Sequence, residues 1–339
     1  MWFLQDVPCV SRRWTCGHLS RSPLSLLPDP DEGPSCFTTN LTAFSLATSS
    51  DLHCVDRYKR MYEEEIVNGK VRVLGKGGFG SVTAGHRKAD HAPVAIKKTK
   101  KHKLVSKASD YNYISHVINN HIVDLPREVA VLIHLGAGPE AETHNVTPVL
   151  LDWFDLEEEL ILIFQRPAPC MNMVKYLNHK NDTGLCLCDI KNIMIQLVDK
   201  ALEMQSKNVF HHDIKLDNIL IETDGGLRAR YIDFGCSDIC SHEEMHSSSR
   251  GTEGYMPPES FTEGCYSAGP TTVWQLGTVL YVMLHGRLPF ENNSELVEKE
   301  VRLQQTLSND CKDFLRQCFK KNPRERATLA LLRGHPWLN

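Results

Sequence analysis

The sequence lacks any long uninterrupted hydrophobic stretch. Even the apolar run from Leu276 to Leu284 is short, whereas a membrane span needs about 18 to 20 continuous apolar residues. The first ten residues include Asp6 and Pro8 and have no basic lead, which does not match an export signal. We therefore expect a chain that neither crosses a membrane nor is secreted. Its expected location is the cytoplasm, with the nucleus as a second compartment.

A strong excess of one charge is also missing. The formal net charge is -4 over 339 residues, which argues against a protein held on nucleic acid by a basic field. The basic run from Lys97 to Lys103 is better explained as a solvated strand end and loop. No nucleic-acid partner is expected.

Paired Cys-x-x-Cys motifs are absent although the chain has 12 cysteines. Cys186 and Cys188 are too close for that spacing, and Cys236 and Cys240 are too far apart. In a large chain without an export signal we expect reduced thiols. A structural zinc site is not expected.

The distribution of residues predicts two lobes behind a leader. Residues 1–56 are rich in Ser, Thr and Pro up to about Ser50 and are expected to be a disordered leader. Residues 57–164 show strand patterns and one helix after Pro126, and residues 170–339 show mainly helical spacing, as in 190–204, 273–284 and 310–319. The predicted fold class is α+β, with the two lobes joined by a short connection at 165–169.

A glycine cluster lies between the first predicted strands. Gly75, Gly77 and Gly80 form Gly-x-Gly-x-x-Gly, a pattern that lets the backbone approach phosphates but also opens the helix of dinucleotide-binding folds. The next strong element here is the strand Val94 to Lys97 rather than a helix. The cluster therefore indicates a nucleotide loop between strands.

Two charged residues follow in the order that such a loop requires. Lys97 ends the strand, where its ammonium can hold the α- and β-phosphates of a nucleotide. Glu128 is the acid on the one predicted helix of the first lobe, and it is placed to orient Lys97.

The most specific signal is the segment from His211 to Asn218, His-His-Asp-Ile-Lys-Leu-Asp-Asn. Asp213 can accept or steer the proton of a hydroxyl, Lys215 can neutralise charge on a transferred phosphoryl group, and Asn218 can hold a metal ion. Asp233, in Asp-Phe-Gly, supplies a second metal ligand. These residues predict transfer from ATP with Mg²⁺.

With these motifs, the chain resembles a protein kinase from about Tyr62 to Leu338. The segment from Gly251 to Glu259 resembles the end of a kinase activation segment. The resemblance implies a buried ion pair between Glu259 and Arg326. Lys215 and Thr252 imply transfer to Ser or Thr rather than to Tyr.

Several stretches resemble the Pim family of serine/threonine kinases in particular. They are Leu151-Asp152-Trp153-Phe154, Gln165-Arg166-Pro167-Ala168-Pro169, Val273-Trp274, Pro289-Phe290-Glu291 and His335-Pro336-Trp337. Pro167 has no backbone N–H to give to adenine, so the carbonyl of Gln165, apolar packing and phosphate contacts would hold ATP. The residues expected to contact ATP are Gly75, Lys76, Gly77, Gly78, Phe79, Gly80, Val82, Ala95, Lys97, Gln165 and Pro167.

Departures from the family pattern bear on regulation and substrate choice. His212 replaces the usual Arg before Asp213, which makes control by phosphorylation of the activation segment doubtful, and we expect a neutral, packed histidine there. Asp217 remains among the acidic residues with which Pim kinases read basic substrates. Carboxylates are replaced at four other positions, which are Asn172, Lys175, Val282 and Arg287. We expect a weaker or different preference for basic sequences.

Three hypotheses follow. An active, monomeric serine/threonine kinase acting on protein substrates is favoured, because all six catalytic, phosphate-holding and metal-holding residues are present. A nucleotide-binding pseudokinase is the alternative, motivated by His212 and the altered substrate groove. A dinucleotide-dependent oxidoreductase is disfavoured by the strand after the glycine loop and by the missing βαβ alternation.

Overall fold

The computed structural model describes residues 51–77, 80–101, 113–118, 121–180, 185–241, 243–247 and 250–339. In this part of the chain the helices are α1 (Asp51–Met61), α2 (Arg127–Leu135), α3 (Met173–Lys180), α4 (Leu187–Ser206), α5 (Glu259–Thr262), α6 (Ala268–His285), α7 (Asn293–Glu298), α8 (Asn309–Cys318) and α9 (Leu329–Arg333). Single 3₁₀ turns cover Leu216–Asn218, Phe234–Cys236 and Glu253–Tyr255.

The strands of the same residues are mostly short. They are β1 (Tyr62–Glu64), β2 (Ile66–Val67), β3 (Lys70–Val71), β4 (Val73–Lys76), β5 (Gly80–Arg87), β6 (Pro93–Lys100), β7 (Tyr113–Ile118), β8 (His121–Pro126), β9 (Leu150–Asp155), β10 (Glu159–Gln165), β11 (Cys170–Asn172), β12 (Val209–Phe210), β13 (Ile219–Glu222), β14 (Arg228–Tyr231), β15 (Asp238–Ile239), β16 (Met245–His246) and β17 (Tyr266–Ser267).

An antiparallel sheet forms most of the first lobe. Its strand order is β1-β5-β6-β10-β9, and β4 pairs with β5. Val94 and Ile96 of β6 are fully buried. Because successive side chains of a strand point to opposite faces, Ala95 and Lys97 occupy the other face. The alternation of side chains along β6 thus places Lys97 on the face where it contacts Asp233 of the second lobe.

Helix α2 begins directly after Pro126, as the sequence predicts. Proline suits a helix start because its missing N–H would have no partner there. Gly136, with φ 85°, ends the helix in the left-handed conformation. Val129 and Leu132 are fully buried. Strands β7 and β8 form a hairpin that leads straight into the helix, an element that the sequence did not predict.

Helix α1 (Asp51–Met61) begins within the segment 1–56 that was assigned above to a disordered leader. It begins at Asp51, so ordered structure starts earlier than the expected position near Arg57. Arg57 donates two hydrogen bonds to Asp152 of β9, at 3.1 and 3.0 Å. The rings of Tyr58 and Phe154 are 5.5 Å apart. These contacts pack α1 against the sheet.

The second lobe is mainly helical. The predicted helices at 190–204, 273–284 and 310–319 correspond to α4, α6 and α8, and Trp274 of α6 is fully buried. Strands β13 and β14 pair as a hairpin, and the N–H of Ile232 donates to the carbonyl of Asn218 at 2.9 Å. This hairpin brings together the segments that contain Asp213 and Asp233. The predicted two-lobed α+β fold is confirmed.

The expectation of reduced thiols throughout is wrong at one place. Cys186 and Cys188 are joined by a disulfide across a single intervening residue, next to the start of α4. Their spacing was judged only against the Cys-x-x-Cys pattern, although two cysteines this close can meet where the backbone turns into a helix. Cys170, Cys236, Cys240, Cys265, Cys311 and Cys318 are free thiols. None of the described helices is long and apolar enough to cross a membrane.

Candidate active site

Lys97 and Glu128 form the predicted ion pair. The ammonium Nζ of Lys97 lies 2.7 Å from Oε1 and 2.6 Å from Oε2 of Glu128. Burial raises the pKa of Glu128, and Lys97 acts against this rise. Burial also disfavours the charged form of Lys97, but Asp233 and Glu128 outweigh it and raise the pKa of the ammonium. The lysine therefore stays a cation in the cleft.

Asp233 is the second partner of the same ammonium. Its Oδ1 lies 2.6 Å from Lys97 Nζ, and its side chain is 50% exposed. The nearby Lys97 lowers the pKa of Asp233 to about 2. Asp233 has φ 66°, a conformation that is uncommon for residues other than glycine and is concentrated at functional sites. The carboxylate is thus ionised, accessible and fixed by its backbone.

Gly235 leaves the space that this cluster occupies. A Cβ atom added there would lie 3.3 Å from Asp233 Oδ1, 3.5 Å from Glu128 Oε2 and 3.7 Å from Lys97 Nζ. Phe234 is buried as predicted, with its ring centroid 4.8 Å from that of His211. The Asp-Phe-Gly segment therefore has Asp233 in the cleft and Phe234 in the core.

Asp213 is the centre of a second polar cluster. Its Oδ2 accepts from Asn218 Nδ2 at 3.0 Å and lies 2.8 Å from Lys215 Nζ. Its Oδ1 accepts from the hydroxyl of Thr252 at 2.6 Å. Lys215 Nζ in turn donates to Thr252 Oγ1 at 2.6 Å. The sequence predicted that Asp213, Lys215 and Asn218 act together. It related Thr252 only to the choice of Ser or Thr over Tyr as the acceptor.

The ligands predicted for Mg²⁺ fit a hard cation. Asn218 donates from Nδ2 to both the carboxylate and the carbonyl of Asp213, so its Oδ1 is the ligand atom left for a metal. Asp233 contributes an ionised, half-exposed carboxylate. Carboxylate and amide oxygens are suitable magnesium ligands. The chemistry of these two side chains fits the ion, and their role as its ligands stays a prediction.

The glycines of the loop differ in the space around them. A Cβ atom on Gly75 or Gly77 would meet no atom within 4 Å, whereas one on Gly80 would lie 1.9 Å from the carbonyl oxygen of Lys98. Gly80 is therefore required for packing of β5 against β6. Lys76 ends β4, and Val82 pairs with Lys97. The predicted ATP contacts Gly78 and Phe79 lie outside the described residues.

The connection between the lobes offers adenine few donors. The N–H of Gln165 donates to Val149 at 2.8 Å, and the N–H of Arg166 donates to Pro93 at 3.2 Å. Pro167 has no N–H. Backbone donors from these three residues are thus satisfied or missing, which agrees with the binding mode expected from the sequence. Ala95 pairs with Phe164 on β10.

Glu259 and Arg326 form the buried ion pair that the family resemblance implied. Two parallel hydrogen bonds join the guanidinium to the carboxylate, at 2.7 and 2.8 Å. The side chains are 3% and 0% exposed. The pair anchors the end of the activation segment to the loop that follows α8.

His212 is packed rather than exposed. Its ring is fully buried, with Nδ1 3.3 Å from the hydroxyl of Tyr266. The ring centroid lies 3.8 Å from that of Phe210. Burial, followed by the neighbouring His246 and Arg250, holds the pKa of His212 well below its usual value. The neutral packing role expected from the sequence is the one that these surroundings favour.

Among the positions expected from the sequence to read the substrate, the charged ones are exposed. Asp217, Lys175 and Arg287 are exposed, while Val282 is half-buried. Lys175 Nζ donates to the carbonyl of Leu74 at 2.7 Å, which ties the start of α3 to the glycine strand. A cation thus stands at a position where Pim kinases are expected to have a carboxylate.

Comparison with known sequences agrees with this geometry. A sequence model of the protein kinase domain matches residues 69–338. The chain therefore belongs to the protein kinase family, and its relatives are serine/threonine kinases. It is 32% identical to serine/threonine-protein kinase pim-2 of Danio rerio over 282 residues, which cover 83% of this chain and 86% of that protein. This similarity bears out the resemblance to the Pim family.

Two other relatives are longer than this chain. Serine/threonine-protein kinase prk-2 of Caenorhabditis elegans is 30% identical over 272 residues, 78% of this chain and 56% of that protein. Serine/threonine-protein kinase PLK4 of Drosophila virilis is 25% identical over 287 residues, 82% of this chain and 34% of that protein. The chain thus spans about half and about a third of these two proteins.

Proposed function

We propose that this kinase transfers the γ-phosphoryl group of ATP to Ser and Thr hydroxyls of proteins without prior phosphorylation of its activation segment. The main support is the assembly around Asp213, which is complete in the unmodified chain. Lys215, Asn218 and Thr252 all contact it. The Lys97–Glu128 pair, which regulated kinases form on activation, is also present.

Each residue then has a defined chemical task. Lys97, fixed by Glu128, positions the α- and β-phosphates. Asp213 accepts or steers the proton of the attacking hydroxyl, and Lys215, 2.8 Å from it, offsets negative charge on the transferred group. Magnesium held by Asn218 and Asp233 would neutralise the β- and γ-oxygens of the nucleotide. The protein mainly supplies orientation and preorganised charge.

We also propose that this kinase selects basic substrates less strongly than its Pim relatives. Asp217 is an exposed carboxylate beside the catalytic loop. Lys175 and Arg287 are exposed cations where the family resemblance expects acids. A cation in the groove repels an arginine-rich peptide, and a lost carboxylate removes an attraction.

The test is phosphate transfer by purified, phosphatase-treated protein with ATP and Mg²⁺. Two peptides would be compared, one with arginines before its serine and one neutral. Transfer to either peptide, lost in Asp213→Asn, would support the proposal, and the ratio of kcat/KM values would measure the basic preference. If ATP binds but neither peptide transfer nor autophosphorylation occurs, the chain acts as a pseudokinase and the proposal is wrong.

The monomeric state and the location in cytoplasm and nucleus also stay proposals. The location derives from the sequence features described above. Light scattering of the purified full chain would measure the first, and imaging of tagged full-length protein would measure the second. A stable dimer or a secreted product would contradict them.

A further inference from the structure

Asp238 lies at the junction of several elements of the active site. It starts β15, five positions after Asp233, and pairs with Phe210 of β12 just before the catalytic loop. Its side chain is 15% exposed. The position belongs to none of the motifs that identify the family, so nothing in the sequence marked it.

The carboxylate of Asp238 accepts hydrogen bonds from two arginines and lies close to His212, so three different segments meet at it. Its Oδ1 accepts a hydrogen bond from the guanidinium of Arg127, and its Oδ2 accepts one from that of Arg250. The Nε2 atom of His212 lies 3.2 Å from Oδ2. The arginine side chains are 13% and 22% exposed, and that of His212 is 0% exposed. The cluster is therefore largely shielded from water.

Each of these partners is next to a residue of the active site. Arg127 precedes Glu128 at the start of α2, and His212 precedes Asp213. Arg250 stands two positions before Thr252, whose hydroxyl contacts Asp213. A single carboxylate thus joins the helix that orients Lys97, the catalytic loop and the end of the activation segment.

The charges of the cluster make this carboxylate necessary. Without it, two guanidinium groups would remain close together in a shielded site, next to a histidine that is held neutral by burial. Removing one partner of a shielded ion pair leaves uncompensated charge, which is strongly unfavourable. Loss of Asp238 should therefore push α2, the catalytic loop and the activation segment apart.

We propose that Asp238 is a positioning residue that holds these three segments in the arrangement required for phosphoryl transfer. This is the task that a phosphorylated residue performs in kinases whose activation segment is ordered by new phosphate–arginine pairs. The proposal rests on the proposed kinase function. It supplies a physical reason for activity without phosphorylation of the activation segment.

The replacement at position 212 agrees with this assignment. A phosphate carries a charge of about -1.5 to -2 at neutral pH, whereas Asp238 carries one negative charge. A neutral His212 in place of arginine removes one positive charge from the cluster. The lower positive charge around Asp238 thus matches its lower negative charge.

A metal ion at this place is a weaker explanation. His212, Asp238 and His246 offer ligand atoms within 4.8 Å of one another. Both oxygens of Asp238, however, already accept from guanidinium groups. A divalent cation would have to displace them or stand beside two positive charges.

The test compares wild type with Asp238→Asn and Asp238→Glu, all treated with phosphatase. Asp199→Asn is the matched control, because it removes a carboxylate that pairs with Arg333 at 2.5 Å on the surface of the second lobe. We expect Asp238→Asn to lower kcat by about tenfold to a hundredfold, as small misplacements of catalytic groups do. The Kd for ATP should change less than kcat, because the glycine strand β4 and the connection at 165–169 are not among the segments that Asp238 joins. Asp238→Glu should recover part of the lost kcat, and Asp199→Asn should match wild type.

Amide hydrogen exchange gives a second readout that does not depend on activity. Faster exchange in 127–135 and 250–256 of Asp238→Asn, with unchanged exchange in α6, would support the tie between the segments. Wild-type kcat in Asp238→Asn, or unchanged exchange in those segments, would overturn the proposal. If wild type itself transfers no phosphate, the proposed function fails, and the exchange data still decide whether Asp238 holds the segments together.

Discussion

Thr252 donates its hydroxyl to the carboxylate of Asp213 across 2.6 Å, although 39 positions separate the two residues. The hydroxyl oxygen of Thr252 also accepts a hydrogen bond from Lys215 Nζ at 2.6 Å. The activation segment is thereby attached to Asp213 and Lys215, the residues proposed to act on the acceptor hydroxyl and on the transferred phosphoryl group, respectively. A displacement of the segment would therefore also change the orientation of Asp213.

Removal of this hydroxyl should slow catalysis more than it weakens binding. We expect Thr252→Val to lower kcat by about tenfold to a hundredfold, because Asp213 and Lys215 lose their common partner. The Kd for ATP should stay close to that of wild type. Steady-state kinetics with a peptide substrate and calorimetry with ATP would measure both. Thr252→Ser keeps the hydroxyl and should remain active, and an inactive serine variant would contradict this explanation.

Lys97→Met and Asp213→Asn should each abolish transfer while leaving the fold largely intact. In the proposed mechanism Lys97 positions the phosphates and Asp213 accepts the proton, and general bases of this kind contribute about 10²- to 10⁴-fold. Circular dichroism would verify the fold, and radioactive phosphate transfer would measure the activity. Retained turnover in either variant would show that the assigned roles are wrong.

Much of this site follows from the sequence, because its chemistry resides in short motifs. Asp213, Lys215 and Asn218 are within one segment of the chain, so their common task can be deduced from spacing. The role of Asp238 cannot be deduced in this way, because the residues around it come from three distant segments and no fixed spacing links them. The same reason explains why the sequence did not place helix α1, whose Arg57 pairs with a residue 95 positions away.

The two ends of the glycine loop should respond differently to alanine. A Cβ atom at Gly80 would collide with the carbonyl of Lys98, whereas one at Gly75 would meet open space. We expect Gly80→Ala to reduce the free energy of unfolding by about 1 to 3 kcal/mol, as overpacking does. Gly75→Ala should change it by less than about 0.5 kcal/mol. Thermal unfolding without nucleotide would test the contrast, and equal melting temperatures for the two variants would contradict it.

The buried pair of Glu259 and Arg326 should be important for stability. Arg326→Leu leaves the carboxylate of Glu259 buried without a partner, and such losses reduce the free energy of unfolding by about 3 to 5 kcal/mol. Lys299→Gln, which breaks an exposed pair with Glu295 at 2.6 Å, should change it by less than about 1 kcal/mol. Chemical denaturation of both variants would give the two values. A loss for Arg326→Leu no larger than that of the control would be inconsistent with a buried pair.

Stability should fall as the solution becomes acidic, in part because of His212. Its pKa in the folded protein is lowered by burial, so below a pH of about 6.5 the unfolded chain binds a proton that the folded chain does not. The contribution is small at pH 7.5 and grows to a loss of stability on the order of 1 kcal/mol about one pH unit below the usual pKa of histidine. His212→Gln should flatten the dependence of the free energy of unfolding on pH. An unchanged slope would show that His212 is charged in the folded state.

The docking of α1 has a consequence for where the autonomous folding unit begins. The similarity to the protein kinase domain starts at residue 69, but the guanidinium of Arg57 is the partner of Asp152, which is only 3% exposed. A polypeptide cut at the homology boundary would leave that carboxylate in an apolar setting and would uncover the ring of Phe154. The similarity to the kinase family and the packed structure therefore begin at different places in this protein, because α1 packs on the sheet upstream of residue 69.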